Sequence, residues 1–330
     1  MNNKSLVIPS VFALALGSLT AFAHEPDRSR PDSHAPISVM GDHIHRTGEF
    51  MFSYRLMKMT MEGMQDGSKS LSSQEVFDRG YMMTPTRMDM TMHMFGGMYA
   101  SSDQLTWMAM ASYLDNSMDM LNRMGVKSSM ESSGLGDVNL GALYQVYAEH
   151  RQTLHLNLMT SLPTGSIEEE NSAGQILPYR MQLGSGTWDL KPAITWNSQH
   201  DSFSWGAQAG ATIRLGENKR DYTLGNSYQL QSWFQKPVHK NVSLAARLNW
   251  EKWDNIRGED KDLAMMKAMT PLADPDKQGG RRVTGGLGIN ITLPAGNRLA
   301  LEYTQDISQR LDGPQMSLDN SITLGWQLAI

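Results

Sequence analysis

Beyond residue 47 the chain alternates apolar and polar residues with a period of two, the spacing at which successive strand side chains change face. In the last segment Leu318, Ile322, Leu324, Trp326, Leu328 and Ile330 fall on one face, and Asp319, Ser321, Thr323, Gly325 and Gln327 on the other. Val242, Leu244, Ala246, Leu248 and Trp250 oppose Ser243, Arg247, Asn249 and Glu251 in the same way. About twelve such segments can be counted, near 48–60, 87–100, 104–115, 136–148, 152–163, 187–197, 202–215, 221–236, 241–253, 281–293, 298–308 and 318–330. Most run 11–14 residues. At about 3.3 Å per residue and a tilt of about 40°, such a strand crosses an apolar slab of roughly 25 Å. Soluble strands average only about 5–6 residues.

The connections give an independent test. Those after the second, fourth, sixth, eighth and tenth segments are short, as in Ser101-Ser102-Asp103 and Glu149-His150-Arg151. Those around 61–86, 116–135, 164–186 and 254–280 are long, so tight and long connections alternate. That sorting is expected when every turn on one membrane side is tight and the other side carries the loops. It predicts an all-β chain, an antiparallel transmembrane β-barrel of about 12 strands, with both termini on the short-turn, periplasmic side. A lipocalin-like soluble barrel would alternate too, but its apolar face would look inward. The membrane reading requires Trp250 and Trp326 to point outward.

The first residues carry a different signal. Lys4 precedes a mostly apolar run from Ser5 to Ala23 that ends in Ala21-Phe22-Ala23, followed by polar residues from His24. A positive start, a short apolar middle and an A-x-A end predict a secretory signal peptide over residues 1–23. An N-terminal membrane anchor is the rival reading. The chain then divides into the signal peptide, a periplasmic His-containing segment 24–46, and the barrel 47–330. Export places the protein in the outer membrane, with outer-membrane lipid and a small-molecule solute as partners.

Gly134-Leu135-Gly136-Asp137 leads into a strand, Leu162-Pro163-Thr164-Gly165 ends the next, and Leu190-Lys191-Pro192-Ala193-Ile194-Thr195-Trp196 follows. These stretches resemble the outer-membrane barrels grouped as the putative "MetA-pathway of phenol degradation" family, often described simply as transporters. The resemblance implies a barrel that takes up small molecules, aromatic compounds among them, and it supplies no catalytic residues. The sequence departs from the family in an N-terminal half crowded with Met.

Composition narrows the chemistry. The 330 residues contain no Cys, which removes disulfides, thiolate metal sites and Cys nucleophiles. A net charge of -5 without a basic block argues against nucleic acid as a partner. A mean hydropathy of -0.41 argues against a bundle of membrane helices. The alternation carries no signal of oligomeric state.

If the apolar face meets lipid, the polar face lines the interior. Lumen-lining candidates are Arg55, Arg87, Asp89, His93, Asp137, His155, Lys191, Arg214, Arg247, Glu251, Arg282 and Glu302, with Asn139, Asp189, Arg298 and Asp306 beside them. Their charges nearly balance, which fits either a polar conduit or a set of paired charges stiffening a closed barrel. Neither His93 nor His155 has a nucleophile motif nearby, so no enzyme is expected. The channel reading is therefore for small solutes, passive or gated, with no cofactor.

Nineteen of the 26 Met lie between Met40 and Met130. Alternation assigns Met88, Met90, Met92, Met94 and Met98 to lipid, and turns Met57, Met59, Met61, Met108 and Met110 inward. The inward thioethers can pack the lumen or form a soft-ligand path for copper as Cu(I). His24, His34, His43 and His45 can hold a divalent ion. A Met-rich protein for copper binding or export is the alternative to the channel.

Overall fold

The computed structural model describes residues 26–330, so the expected signal peptide and His24 lie outside the described residues. Eleven strands close on themselves through antiparallel pairing of neighbours, the last pairing with the first. They are β1 (Phe50–Gly67), β2 (Met83–Ser102), β3 (Leu105–Asn122), β4 (Val138–Glu149), β5 (Gln152–Leu162), β6 (Trp188–Gln199), β7 (Ser204–Leu215), β8 (Ser227–His239), β9 (Val242–Trp253), β10 (Gly280–Thr292) and β11 (Asn297–Ala329). Outside the ring, Lys69–Leu71 pairs with β1 and Lys127–Leu135 with β3, and Tyr222–Thr223 pairs with Arg257–Gly258 in a separate two-stranded sheet.

β11 accounts for two of the predicted segments. It follows β10 as far as Leu311 and β1 from Leu311 onward. The Ala329 N–H donates to Gly296 O at 3.1 Å, so the strand has turned back on itself. Gly313, at φ +104, lies between the two passes, a conformation open to glycine without a Cβ penalty. The ring thus has the twelve passes that the alternation predicts. Closure matters because lipid offers no partner to an unpaired N–H or C=O.

The outer face carries the apolar stripes. Phe52, Trp107, Leu158, Ile194, Leu230, Leu248, Leu287 and Leu324 are exposed there, and Trp250 and Trp326 point outward with them. No helix among the described residues is long and apolar enough to cross a membrane; the crossing is made by strands.

β1, β2 and β3 are taller than the alternation suggests, at 18, 20 and 18 residues. Paired residues share a face, so the register sorts their outer faces into rows. Phe50–Tyr99–Trp107, Phe52–Gly97–Ala109, Tyr54–Phe95–Ala111 and Leu56–His93–Tyr113 are mostly apolar. The rows above them, Lys58–Thr91–Asp115, Thr60–Asp89–Ser117 and Glu62–Arg87–Asp119, are polar. Four apolar rows at about 6.7 Å per two residues and a tilt of about 40° span about 20 Å, close to the thickness of a barrel's lipid belt. The strands continue past that belt into water, where the outward face no longer needs to be apolar.

This corrects the assignment of β2. Arg55 faces inward, and its partner Met94 shares that face, as do Met88, Met90, Met92 and Met98. Arg87, Asp89 and His93 are on the outer surface instead of lining the lumen. Above the belt the polarity order inverts: the inside is dry and packed, and the outside is wet.

Candidate functional site

Both ends of the interior carry a cover. At the short-turn end, residues 26–46 run inside the ring, and inward side chains from most of the strands bind their backbone. Gln199 receives the Asp27 N–H at 2.6 Å, Ser204 donates to Asp32 O at 2.7 Å and Ser243 to Pro31 O at 2.9 Å. Gln235 donates to His34 O at 2.5 Å, Gln208 to Met40 O at 2.9 Å and Asn197 to Asp42 O at 2.8 Å. Gly41 O accepts from both His155 Nε2 and Asn157 Nδ2 at 2.9 Å. Apolar contacts are few: Ala35 and Val39 against Trp233, and Ile44 against Met51, Met98 and Leu143.

At the loop end the cover is apolar. Met61, Met64, Met88, Met118, Met120 and Met316 form one buried cluster with Leu71, Val76 and Tyr81 and, from the incoming loops, Leu177, Met181 and Leu272. The turn that delivers Leu177 and Met181 is held by a lock among residues of two of the sequence stretches singled out above. Asp137 accepts the N–H of Gly165 and of Ser185, both at 2.9 Å. Thr164 Oγ1 donates to Gly136 O at 3.0 Å and accepts the Val138 N–H at 2.9 Å. Asp137 therefore anchors a loop rather than facing open solvent in a conduit.

Between the two covers lies a cavity of about 320 Å³, bordered by Met40, Met108, Met110, Met159, Asn157 and Lys191. The charged groups around it have partners. Lys191 donates to Asn139 at 2.6 Å, Arg214 pairs with the buried Asp189, and Arg282 contacts Glu251 at 2.8–2.9 Å. Arg247 donates to Glu302 Oε1 at 2.6 Å, and Glu302 Oε2 takes the Ser38 N–H at 3.0 Å. Arg55 reaches Met40 Sδ from the wall.

Six inner-face rows cross β1, β2 and β3, and thioethers run up them from one end to the other. Met51–Met98–Met108 and Met61–Met88–Met118 are all Met, and Met59–Met90 and Met57–Met92 lie between. The predicted metal candidates divide among these surroundings. Met59 packs against the upper cluster that holds Met61, Met108 packs against the lower one, and Met108 and Met110 border the cavity.

His34, Asp42 and His43 come together in the segment, their potential ligand atoms all within 4.8 Å of one another. The His43 and His45 rings stand 4.7 Å apart at their centroids. Burial carries His34 well below the usual imidazole range and pushes His45 down to about 3. Burial would raise the Asp42 carboxyl, but His43 beside it and the Ala35 N–H at 2.8 Å hold it well below the usual carboxylate range.

Sequence reasoning did not find the occluding role of residues 26–46. The signal was available in Ala35, Ile37, Val39 and Ile44, apolar residues spread through a polar stretch that lacks strand alternation.

Comparison with known proteins agrees with the geometry. A model of the family described as "Putative MetA-pathway of phenol degradation" matches residues 78–262, more than half of the chain. The COG4313 outer membrane channel from Pseudomonas putida F1 superposes with a TM-score of 0.66 at 13% identity, covering 89% of this chain and 100% of the channel. At that identity the likeness establishes a shared fold. The β domain of the Bordetella autotransporter BrkA aligns at a TM-score of 0.47 and 12% identity, over 86% of this chain and 100% of that domain. No curated protein matches the chain in sequence.

Proposed function

Because the chain belongs to the family described as "Putative MetA-pathway of phenol degradation", we propose that it is an outer-membrane channel for small, largely apolar solutes with a polar group, aromatic compounds among them. The observation that carries this reading is the inner wall itself. A porin for hydrophilic solutes lines its lumen with charge and water, whereas each inner-face row across three adjacent strands here carries at least one thioether. Flexible, polarisable Met side chains adapt to apolar shapes and favour contact with aromatic rings. Lys191 and Asn157 border the same cavity as Met108 and Met110, a place for one polar group on an apolar body. Both ends carry a cover, which points to gated passage, with the N-terminal segment as the gate.

The test is solute flux into liposomes carrying the purified protein, with phenol-like acids, sugars of similar size and Cu(I) as the panel. Aromatic solutes are expected to pass faster than sugars, and Met110→Glu is expected to slow them several-fold. Equal rates for sugars and aromatics, unaffected by the substitution, would refute the reading. The same Met rows favour a second reading, copper handling through thioether ligands. Preferential Cu(I) flux, lost in Met57→Leu/Met59→Leu/Met108→Leu/Met110→Leu, would favour that one instead.

A further inference from the structure

We propose that His34, Asp42 and His43, with the His45 ring beside them, form a binding site for a divalent transition-metal ion, Zn²⁺ or Cu²⁺, inside the segment that occludes the lumen. The site is independent of the Met rows and of whichever solute crosses the wall.

The first argument is unmet valence. Nδ1 of His34, both ring nitrogens of His43 and Nε2 of His45 are buried, and none has a hydrogen-bond partner. Buried polar atoms are normally satisfied, so four orphans within one short stretch call for an explanation. His43 Nδ1 stands 2.9 Å from Asp42 Oδ1 but out of hydrogen-bond alignment. A metal ion would take one lone pair from each ring, since a single ion cannot reach both nitrogens of His43.

The second argument is donor chemistry. Two or three neutral imidazoles and one carboxylate make a nitrogen–oxygen set, which suits Zn²⁺ and Cu²⁺, whereas Cu(I) prefers thioether or thiolate sulfur. Ligands at about 2.1 Å in a tetrahedral site stand about 3.4 Å apart. The ligand atoms of His34, Asp42 and His43 are all within 4.8 Å of one another, a gap of the size that side-chain rotation spans.

The third argument is support and access. Metal-ligating residues are usually oriented by a surrounding hydrogen-bonded shell. Gln235 holds the His34 carbonyl, Asn197 holds the Asp42 carbonyl, and Ala35 N–H fixes Asp42 Oδ2, leaving Oδ1 turned toward His43. All three histidines border a second cavity of about 360 Å³ that reaches the short-turn mouth at Arg151 and Ile330. An ion can therefore arrive from that side without crossing the barrel. Because every ligand belongs to residues 34–45, a bound ion would staple the segment into the shape in which the wall grips it.

The experiment uses the untagged full-length protein in detergent, loaded with Zn²⁺ or Cu²⁺ and dialysed. The His24→Ala background removes any site built on an amino-terminal histidine. One ion per chain is expected, with affinity at least about tenfold lower in His34→Gln, His43→Gln and the isosteric Asp42→Asn. His150→Gln, on an exposed turn, is expected to bind like the parent. Bound Cu²⁺ is expected to show imidazole nitrogen couplings in its electron paramagnetic resonance spectrum, and these should weaken in His43→Gln. Heat-modifiable electrophoretic mobility verifies that each variant retains the closed barrel. Retention of no metal, or unchanged affinity in correctly folded His34→Gln, His43→Gln and Asp42→Asn, overturns the proposal. Solute flux is measured separately, so neither result decides the channel reading.

Discussion

Replacing Gly41 by Val tests whether the N-terminal segment closes the lumen. Gly41 sits at φ +59, and a Cβ there would lie 2.8 Å from Asn157 Nδ2 and 3.6 Å from Leu143 Cδ2. Holding a β-branched residue in the left-handed region costs about 1–2 kcal/mol. Pushing the Asn157 amide aside removes its bond to Gly41 O, worth about 1 kcal/mol net. The sum is about 2–3 kcal/mol, and at about 1.4 kcal/mol per factor of ten the docked-to-released ratio falls about 30- to 150-fold. Residue 41 lies outside every strand, so the ring itself should fold as before. Single-channel conductance in planar bilayers reads the outcome, with openings expected to be longer or more frequent in Gly41→Val. A cross-link supplies the converse. Ser38 Oγ lies 3.4 Å from Thr323 Oγ1, and the chain has no Cys, so Ser38→Cys/Thr323→Cys forms a single reporting disulfide. Oxidation should close the Gly41→Val channel and reduction should reopen it. Conductance indistinguishable from the parent, with a segment no more sensitive to protease, would refute the reasoning.

The buried Arg247–Glu302 pair yields a second test: Glu302→Gln strands a guanidinium and should cost about 3–5 kcal/mol in denaturant unfolding, whereas Arg247→Met/Glu302→Leu should recover most of it. Met118→Ala, at 0% exposure in the upper cluster, should cost about 2–5 kcal/mol. Met124→Ala, at 82% exposure, should change stability by less than about 0.5 kcal/mol, and equal losses for the two would contradict the packing assigned to that cluster. Asp260 caps a short helix and binds Arg220, joining the loops around 216–226 and 254–279. Burial raises its carboxyl, but Arg220 and two backbone N–H groups more than offset that, so its folded value is depressed. Its contribution is therefore present above the unfolded value, near 3.9, and is lost as pH falls through the lower folded value. Limited proteolysis should find these loops resistant at neutral pH and nicked in strong acid, and Asp260→Asn should be nicked already at neutral pH.

What the sequence made legible follows from what lipid imposes. Within the belt an apolar outer face is compulsory, so the strands containing Trp250, Leu287 and Trp326 could be oriented from their residues alone. Above the belt that constraint lapses. Arg87 and Asp89 were assigned inward because charge was expected to shun the outer face, yet there the outer face meets water and the interior is a packed core of Met, Leu and Tyr. His93, in the uppermost apolar row, faces outward with its Nδ1 2.8 Å from the Tyr54 hydroxyl. Only pairing with β1, whose Arg55 is fixed inward, settles the face of β2. The inward placement of Met57, Met59, Met61, Met108 and Met110 followed from bulky aromatic partners that claim the opposite face. Residues 26–46 were hardest to place, because their partners are wall side chains far along the chain: Gln235 lies 201 residues from His34 and Ser243 lies 212 from Pro31. No local period records such contacts.

The two covers differ in kind, and the difference says which one moves. The N-terminal segment is held mainly by wall side chains bonded to its carbonyls, and water can replace each at a net cost of about 1 kcal/mol. The loop cover is held by Leu177, Met181 and Leu272 set into the Met cluster, and exposing each such side chain costs about 1.5–3 kcal/mol with no replacement partner in water. Opening by stepwise exchange therefore favours the short-turn end. Hydrogen exchange on the detergent-solubilised protein measures this directly. The Ser38 and His45 amides, bonded to the Glu302 and Thr106 side chains, should exchange faster than those of Leu177 and Met181, which are bonded to backbone carbonyls beneath the cluster. Slower exchange at residues 38 and 45 than at 177 and 181 would place the moving part at the loop end and remove the N-terminal segment as the gate.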